Sequence, residues 1–316
     1  MTVTVFIDGE AGTTGLHIRE RLADRHDVAL LHLEDAARKD PAARADALNR
    51  ADISILCLPD DAAREAVTMI ENNDARLIDA STAHRTAPGW TYGFPELDES
   101  QTDRIAKSGR VTNPGCYAVA AVSIIHPLIE SGLLAPDFPA AINAVSGYSG
   151  GGRSMIDSYE NPDSKTPVSS AFRLYGLGLE HKHVEEMRVH SALEHRPLFV
   201  PSVGKYYKGM IVSVPLQLWA LPGAPNPAQL HAALSDYYAG RRFVSVAPLE
   251  ESASLTHLDP EEVNGTNQLR LHVFGNEKRG QVMIAGLLDN LGKGASGQAV
   301  QNLNIMLGAD EGEGLS

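Results

Sequence analysis

Val3-Thr4-Val5-Phe6-Ile7-Asp8-Gly9-Glu10-Ala11-Gly12-Thr13-Thr14-Gly15-Leu16 is the stretch on which the fold turns. A short run of β-branched and aromatic residues makes a strand, small residues follow, and Leu16 and Leu22 then mark a helix over about 12–23. Such a loop, joining a strand to a helix, lets backbone N–H groups and the positive helix end approach a pyrophosphate. Gly9, Gly12 and Gly15 are spaced G-x-x-G-x-x-G, not the commoner G-x-G-x-x-G. Their position at the first strand-to-helix turn, with Thr13 and Thr14 between them, favours a dinucleotide loop over a plain tight turn.

Working outward, strands at 28–33, 53–58 and 77–80 alternate with helices around 42–50 and 62–70. That alternation requires crossovers and a parallel sheet, and the apolar run 53–58 implies burial between two helical layers. From about Ala140 the texture changes to longer alternating strands, such as Leu269, Leu271 and Val273 followed by a turn-rich 275–280 and a partner strand at 282–287. A second, α+β domain with a mostly antiparallel sheet is expected there. Val300, Leu303 and Leu307 give a last helix, stopped by Gly308, that should pack back on the first domain. The proline-rich 221–227 reads as a surface connection and the acidic 309–316 as a frayed tail.

With 316 residues, 43% hydrophobic and 21% charged, the chain can fill two cores. A formal net charge of −13 argues against nucleic acid or an anionic membrane as partner, so an anionic substrate needs local cations. No apolar stretch approaches the roughly 20 residues of a membrane helix, and no basic-then-apolar leader opens the sequence, which points to the cytoplasm.

Both cysteines are expected to be thiols in a reducing compartment. Asn113-Pro114-Gly115-Cys116-Tyr117 precedes a helical pattern with Val119, Val122, Ile125 and Ile129 on roughly one face. Cys116 then lies in the first turn of a helix, where N–H groups and the dipole stabilise a thiolate nucleophile. Cys57, inside the buried run 53–58, should be inert. In His181-Lys182-His183-Val184-Glu185-Glu186 a histidine could serve Cys116 as acid or base, although His183 and Glu186 could equally be a surface pair. No ribbon of cysteine ligands and no H-E-x-x-H occurs, so no metal is expected. Arg85, Arg153, Lys205 and Lys208 are candidate phosphate or carboxylate binders. At the end of the second strand Glu34 and Asp35 would favour NAD, whereas Arg38 or Lys39 would take a 2′-phosphate. The local residues leave both possibilities standing.

The glycine loop, Asn113-Pro114-Gly115-Cys116-Tyr117, Ser146-Gly147-Tyr148-Ser149-Gly150-Gly151-Gly152-Arg153, His181-Lys182-His183 with Glu186, and the run from Asp289 through Gly294 to Asn302 occur in that order over nearly the whole chain. Together they resemble the N-acetyl-γ-glutamyl-phosphate reductase family, in its compact form. The resemblance implies a Rossmann-type doubly wound domain from 1–115 plus 290–316, and a catalytic and oligomerisation domain from 116–289. It implies NADP as cofactor, held by Gly9, Gly12, Thr13, Thr14, Gly15 and Arg38, with Asn290 at the nicotinamide end and Gly294 near it. It further implies Cys116 as nucleophile, His181 as acid/base, and Arg85, Arg153, Ser146, His183 and Glu186 around the substrate. Glu185 departs from the family's longer form, which has proline there, and Lys205 to Met210 match only loosely.

The reaction implied by this resemblance is the reduction of an acyl phosphate to a semialdehyde through a Cys116 thioester, in arginine biosynthesis, by a homo-oligomer (dimer or tetramer). The alternatives are a reductase like aspartate-semialdehyde dehydrogenase, and an NADP-binding redox sensor without catalysis.

Overall fold

The opening β-branched run forms β1 (Val3–Asp8) in a computed structural model that describes residues 2–34 and 36–316. Asp35, one of the acids weighed against Arg38, lies outside the described residues. The chain continues as α1 (Thr13–Leu22), β2 (Val28–Leu31), α2 (Pro41–Arg50), β3 (Ile53–Leu56), α3 (Asp60–Thr68), β4 (Arg76–Asp79), β5 (Thr91–Tyr92), α4 (Gln101–Lys107) and β6 (Arg110–Thr112). These strands form one sheet in the order β2-β1-β3-β4-β6-β5, with every neighbouring pair parallel. Its apolar strands are covered on both faces. Val5 and Ile7 enter one layer with Ile18 and Leu22 of α1 and Ile105 of α4, whereas Phe6 enters the other with Leu48 of α2 and Ala63 and Ala66 of α3. The doubly wound sheet expected from the alternation is what forms.

The second unit runs through α5 (Cys116–Glu130), β7 (Ala141–Gly147), α6 (Gly152–Glu160), β8 (Phe172–Leu174), α7 (Val184–His190), β9 (Leu198–Gly204), β10 (Met210–Gln217), α8 (Pro227–Tyr237), β11 (Val244–Val246), α9 (Leu249–Ser254), β12 (Leu269–Asn276) and β13 (Gln281–Leu288). Its seven strands lie in the order β11-β12-β13-β10-β7-β9-β8. Neighbours are antiparallel except β11 with β12 and β7 with β9, which makes the sheet mostly antiparallel. Helix α5 packs on β10 and β13, and α8 on β12. Val119, Val122 and Ile125 are buried as the pattern implies, and so are the other residues from Tyr117 to Ile125, which encloses that part of the helix on every side. The proline-rich connection ends in a capping box, in which the Asn226 side chain and Gln229 satisfy each other's backbone N–H ahead of Pro227.

The last helix, α10 (Gly297–Leu307), returns to the first unit. Val300 and Leu303 join the cluster that holds Val5 and Ile18, and Gly308 ends the helix at φ 70°. The two units are Met1–Gly115 with Ala295–Ser316, and Cys116–Gly294. The return therefore falls at 294/295 rather than at 289/290, because the intervening residues stay bonded within the second unit. Asn290 Oδ1 accepts the Gly209 N–H at 2.8 Å, its Nδ2 donates to Ser149 Oγ at 3.0 Å, and the Gly294 N–H reaches the Asp289 carbonyl at 3.0 Å. The acidic tail is also not frayed. Asn304 Nδ2 donates to the Glu311 and Glu313 carbonyls, Arg25 donates to Asn304 Oδ1, and Leu315 packs on the core. Among the described residues no helix is long and apolar enough to cross a membrane.

Candidate active site

In the first unit the glycines do work that side chains would prevent. Gly9 sits at φ +92°, and a Cβ there would lie 2.4 Å from the Cys57 carbonyl oxygen. A Cβ on Gly15 would lie 2.5 Å from the Gly9 carbonyl, so loop and helix touch backbone to backbone. The helical ladder begins with the Leu16 N–H donating to Gly12 O at 2.9 Å, which places the N–H groups of Thr13, Thr14 and Gly15 ahead of it, at the positive end of α1. A cavity of about 380 Å³ opens beside the loop, lined among others by Gly9, Ala11, Leu33, Arg38 and Lys39. Arg38 pairs with Glu10 at 2.8 Å and donates from Nε to Leu33 O. Beneath, Arg44 grips Asp8 at 2.9 and 3.1 Å, and burial pushes the Asp8 carboxyl above its ordinary range against that pull. A close-approach loop, a helix N-terminus and two cations fit a phosphorylated dinucleotide.

The same unit fixes the approach to the second cysteine. Asn113 donates its N–H to Asp79 O and its Nδ2 to Ala295 O, and its carbonyl accepts from Arg85 Nε at 3.0 Å. Asn302 Nδ2 donates to Asn113 Oδ1 and to Gly93 O. The Arg85 side chain is thus buried and bonded to backbone at Asn113 and Ala80.

In the second unit Cys116 is the first residue of α5, and no acid stands in that helix's first turn. The Gly294 backbone passes over it so closely that a Cβ there would lie 2.7 Å from Cys116 Cβ. Next to it lies a cavity of about 370 Å³ lined by Tyr117, Ser146, the 150–152 glycines, Tyr175, His181 and Lys182. Tyr175 donates to the Tyr117 hydroxyl at 2.9 Å, which donates to Ser202 O at 3.3 Å. Burial raises both phenols, Tyr175 to about 12, and the Cys116 charge raises them further, which places the sulfur within electrostatic reach of the cavity wall. Four rings enclose His181: Tyr117, Tyr175, Phe199 and His183, with centroids 4.8 to 5.9 Å away. Its Nδ1 accepts the His183 N–H at 3.1 Å, so the neutral ring carries its proton on Nε2.

The predicted residues thus divide between the units. Gly9, Gly12, Thr13, Thr14, Gly15, Arg38 and Arg85 belong to the first, and Cys116, Ser146, Arg153, His181, His183, Glu186, Asn290 and Gly294 to the second. His183 and Glu186 are buried, so they are not a surface pair, and neither is among the cavity's lining residues. Arg153 stands exposed on α6 and does not line the cavity, and Lys208 pairs with Asp289 at 3.0 Å. Sequence reasoning misses Tyr175, since it lies in an irregular connection without periodicity. Lys182 and Tyr117 stand inside motifs read for their neighbours. Cys57 is driven to about 12 by burial and by Asp79 and Asp8, as suits an inert thiol.

Residues 20–105 match the semialdehyde dehydrogenase NAD-binding domain family, and residues 116–290 match the semialdehyde dehydrogenase dimerisation domain family. The N-acetyl-gamma-glutamyl-phosphate reductase of Burkholderia cenocepacia is 57% identical over 97% of both chains. N-acetyl-gamma-glutamyl-phosphate reductase 2 of Pseudomonas putida is 54% identical over 99% of both, and the Brucella anthropi reductase 52% identical over 98% of this chain and 99% of its own. Among solved structures, aspartate semialdehyde dehydrogenase II of Vibrio cholerae complexed with ASA superimposes with a TM-score of 0.70 at 12% identity, covering 97% of this chain and 98% of that one. Aspartate semialdehyde dehydrogenase with NADP from Candida albicans gives 0.66 at 14% identity, covering 97% and 99%. At that identity the likeness concerns the fold alone.

Proposed function

Because the chain belongs to the N-acetyl-γ-glutamyl-phosphate reductase family, we propose that Cys116 is the nucleophile of an NADPH-dependent reduction of N-acetyl-γ-glutamyl phosphate to N-acetyl-glutamate 5-semialdehyde and phosphate, a step of arginine biosynthesis. The observation that carries this reading is a cysteine at a helix start, beside a cavity whose wall includes a histidine of defined tautomer. The amide N–H groups at the start of α5 favour the thiolate. The thiolate attacks the acyl carbonyl, the carbon–oxygen bond to phosphate breaks, and a thioester remains. NADPH, when bound by the glycine loop and Arg38, supplies the hydride that reduces this thioester. The Nε2–H of His181 hydrogen-bonds the oxyanion that then develops, which collapses to aldehyde as the carbon–sulfur bond breaks and the thiolate is released. Lys182, on the cavity wall, provides a cation for the anionic substrate. Arg85 serves by holding the Asn113 carbonyl, which fixes the segment leading into Cys116.

A homo-oligomer, dimer or tetramer, is part of the reading. It is supported by the dimerisation-domain match and by the exposed Pro215, Gln217 and Met283 on β10 and β13. A cytoplasmic location suits a thiol nucleophile, which needs a reducing compartment.

The test is NADPH formation from N-acetyl-glutamate 5-semialdehyde, with and without phosphate, by the intact protein and Cys116→Ser. Phosphate-dependent turnover lost in the variant supports the reading. Turnover that survives the substitution removes the thioester, and a preference for aspartate semialdehyde removes the substrate assignment.

A further inference from the structure

Glu10 is a carboxylate inside a loop built for anions. It stands between Gly9 and Gly12, only 6% exposed, beside the helix end that a pyrophosphate would use. Like charges a few ångströms apart repel even in water, so an unneutralised acid here would weaken every phosphate ligand. Its charge is instead matched by Arg38, whose Nη2 stands 2.8 Å from Oε1, while Oε2 lies 3.0 Å from His32 Nδ1. Arg38 and Lys39 also line the cavity beside the loop, where the adenosine end of a dinucleotide would lie. These are the groups that a ribose 2′-phosphate needs. A ribose 2′-hydroxyl needs the reverse, an acceptor carboxylate, and the Glu10 oxygens already face Arg38 and His32.

We infer that Glu10 tempers the preference for NADPH over NADH, by competing with a ribose 2′-phosphate for Arg38. The inference rests on the nicotinamide cofactor of the proposed function, and on no step at Cys116. Glu10 and the 2′-phosphate compete for Arg38, so the carboxylate holds NADPH affinity below what Arg38 alone would give. Removing its charge while keeping its shape then strengthens the phosphorylated ligand selectively.

The experiment measures dissociation constants of the whole protein by calorimetry for NADPH, NADH, 2′,5′-ADP and 5′-AMP. In Glu10→Gln, NADPH and 2′,5′-ADP bind about fivefold or more tightly, while NADH and 5′-AMP change by less than about twofold. Arg38→Met weakens NADPH by about tenfold or more, and the gain from Glu10→Gln disappears in the double variant. Glu10→Asp, which withdraws the carboxylate by one methylene, gives a smaller tightening with the same ligand order and serves if Glu10→Gln does not fold. Equal tightening of all four ligands would overturn the inference, since it reports plain repulsion of the pyrophosphate. Weaker NADPH in Glu10→Gln would overturn it too, since Glu10 then only holds Arg38 in place. An intact protein that binds neither nicotinamide nucleotide removes the cofactor reading and this inference with it, whereas binding without phosphate-dependent turnover removes only the thioester reaction.

Discussion

Cys57 and Cys116 each stand just past the carboxyl end of a parallel strand, β3 and β6, where the chain turns toward a helix. Around Cys57 the turn is acidic. Asp60 and Asp61 open α3, and Asp79 and Asp8 add to a burial that drives the thiol to about 12. Cys116 is itself the first residue of its helix, with no acid in that turn and with the Tyr117 and Tyr175 phenols within electrostatic reach. The same side chain meets acids at one junction and none in the first turn of the other. A strand-to-helix turn becomes reactive through which residue occupies the helix's first position, and through the charges that surround it.

The sharpest way to break this contrast is to exchange each sulfur. Cys116→Ser should lower phosphate-dependent turnover by about four orders of magnitude or more, whereas Cys57→Ala should leave kcat within about twofold. Next in size is His181→Gln, expected to cost about 10²- to 10⁴-fold in kcat while NADPH affinity, measured by its fluorescence, holds. Gly294→Ala forces a Cβ to 2.7 Å from Cys116 Cβ and should reduce both turnover and iodoacetamide labelling of Cys116 by about tenfold or more. Gly9→Ala makes a comparable clash on the Cys57 side, at 2.4 Å, and should instead weaken NADPH and leave the labelling of Cys116 unchanged. Tyr175→Phe breaks the bond to the Tyr117 hydroxyl and should cost less than about tenfold in kcat.

The smallest expected effect is on stability at alkaline pH. Cys57 is raised from its ordinary value of 9.0 to about 12 in the folded protein. A raised folded-state value contributes stability that is fully present below the ordinary value and is lost as pH climbs toward about 12. The urea stability of the intact protein relative to Cys57→Ala should therefore fall by about 1 to 2 kcal/mol between pH 8 and 10.5. A pH-independent difference would show that Cys57 is not held as a buried thiol.

The first unit was legible because a parallel sheet covered on both faces writes itself as short apolar runs, such as Ile53–Leu56, separated by amphipathic helices. The second was less so. Strand β7 pairs in parallel with β9 across more than fifty residues, from Ala141 with Leu198 to Gly147 with Gly204, and nothing local announces such a partner. The sequence around Cys116 and His181 stood out because its residue types are chemically specific. It did not show Tyr175, whose place on the wall comes from the path of an irregular segment. The acidic 309–316 reads as frayed because its anchors, Arg25 and Asn304, are side chains whose partners are tail carbonyls.

The return of α10 to the first sheet also orders events during translation. Val300 and Leu303 are needed to close the core around Val5 and Ile18, yet the whole second unit lies between them in the chain. A nascent chain can complete the contiguous Cys116–Gly294 unit on the ribosome, while the older, glycine-loop part waits for Val300 and Leu303 to leave the exit tunnel. Of the two units, the one begun earlier is thus finished later.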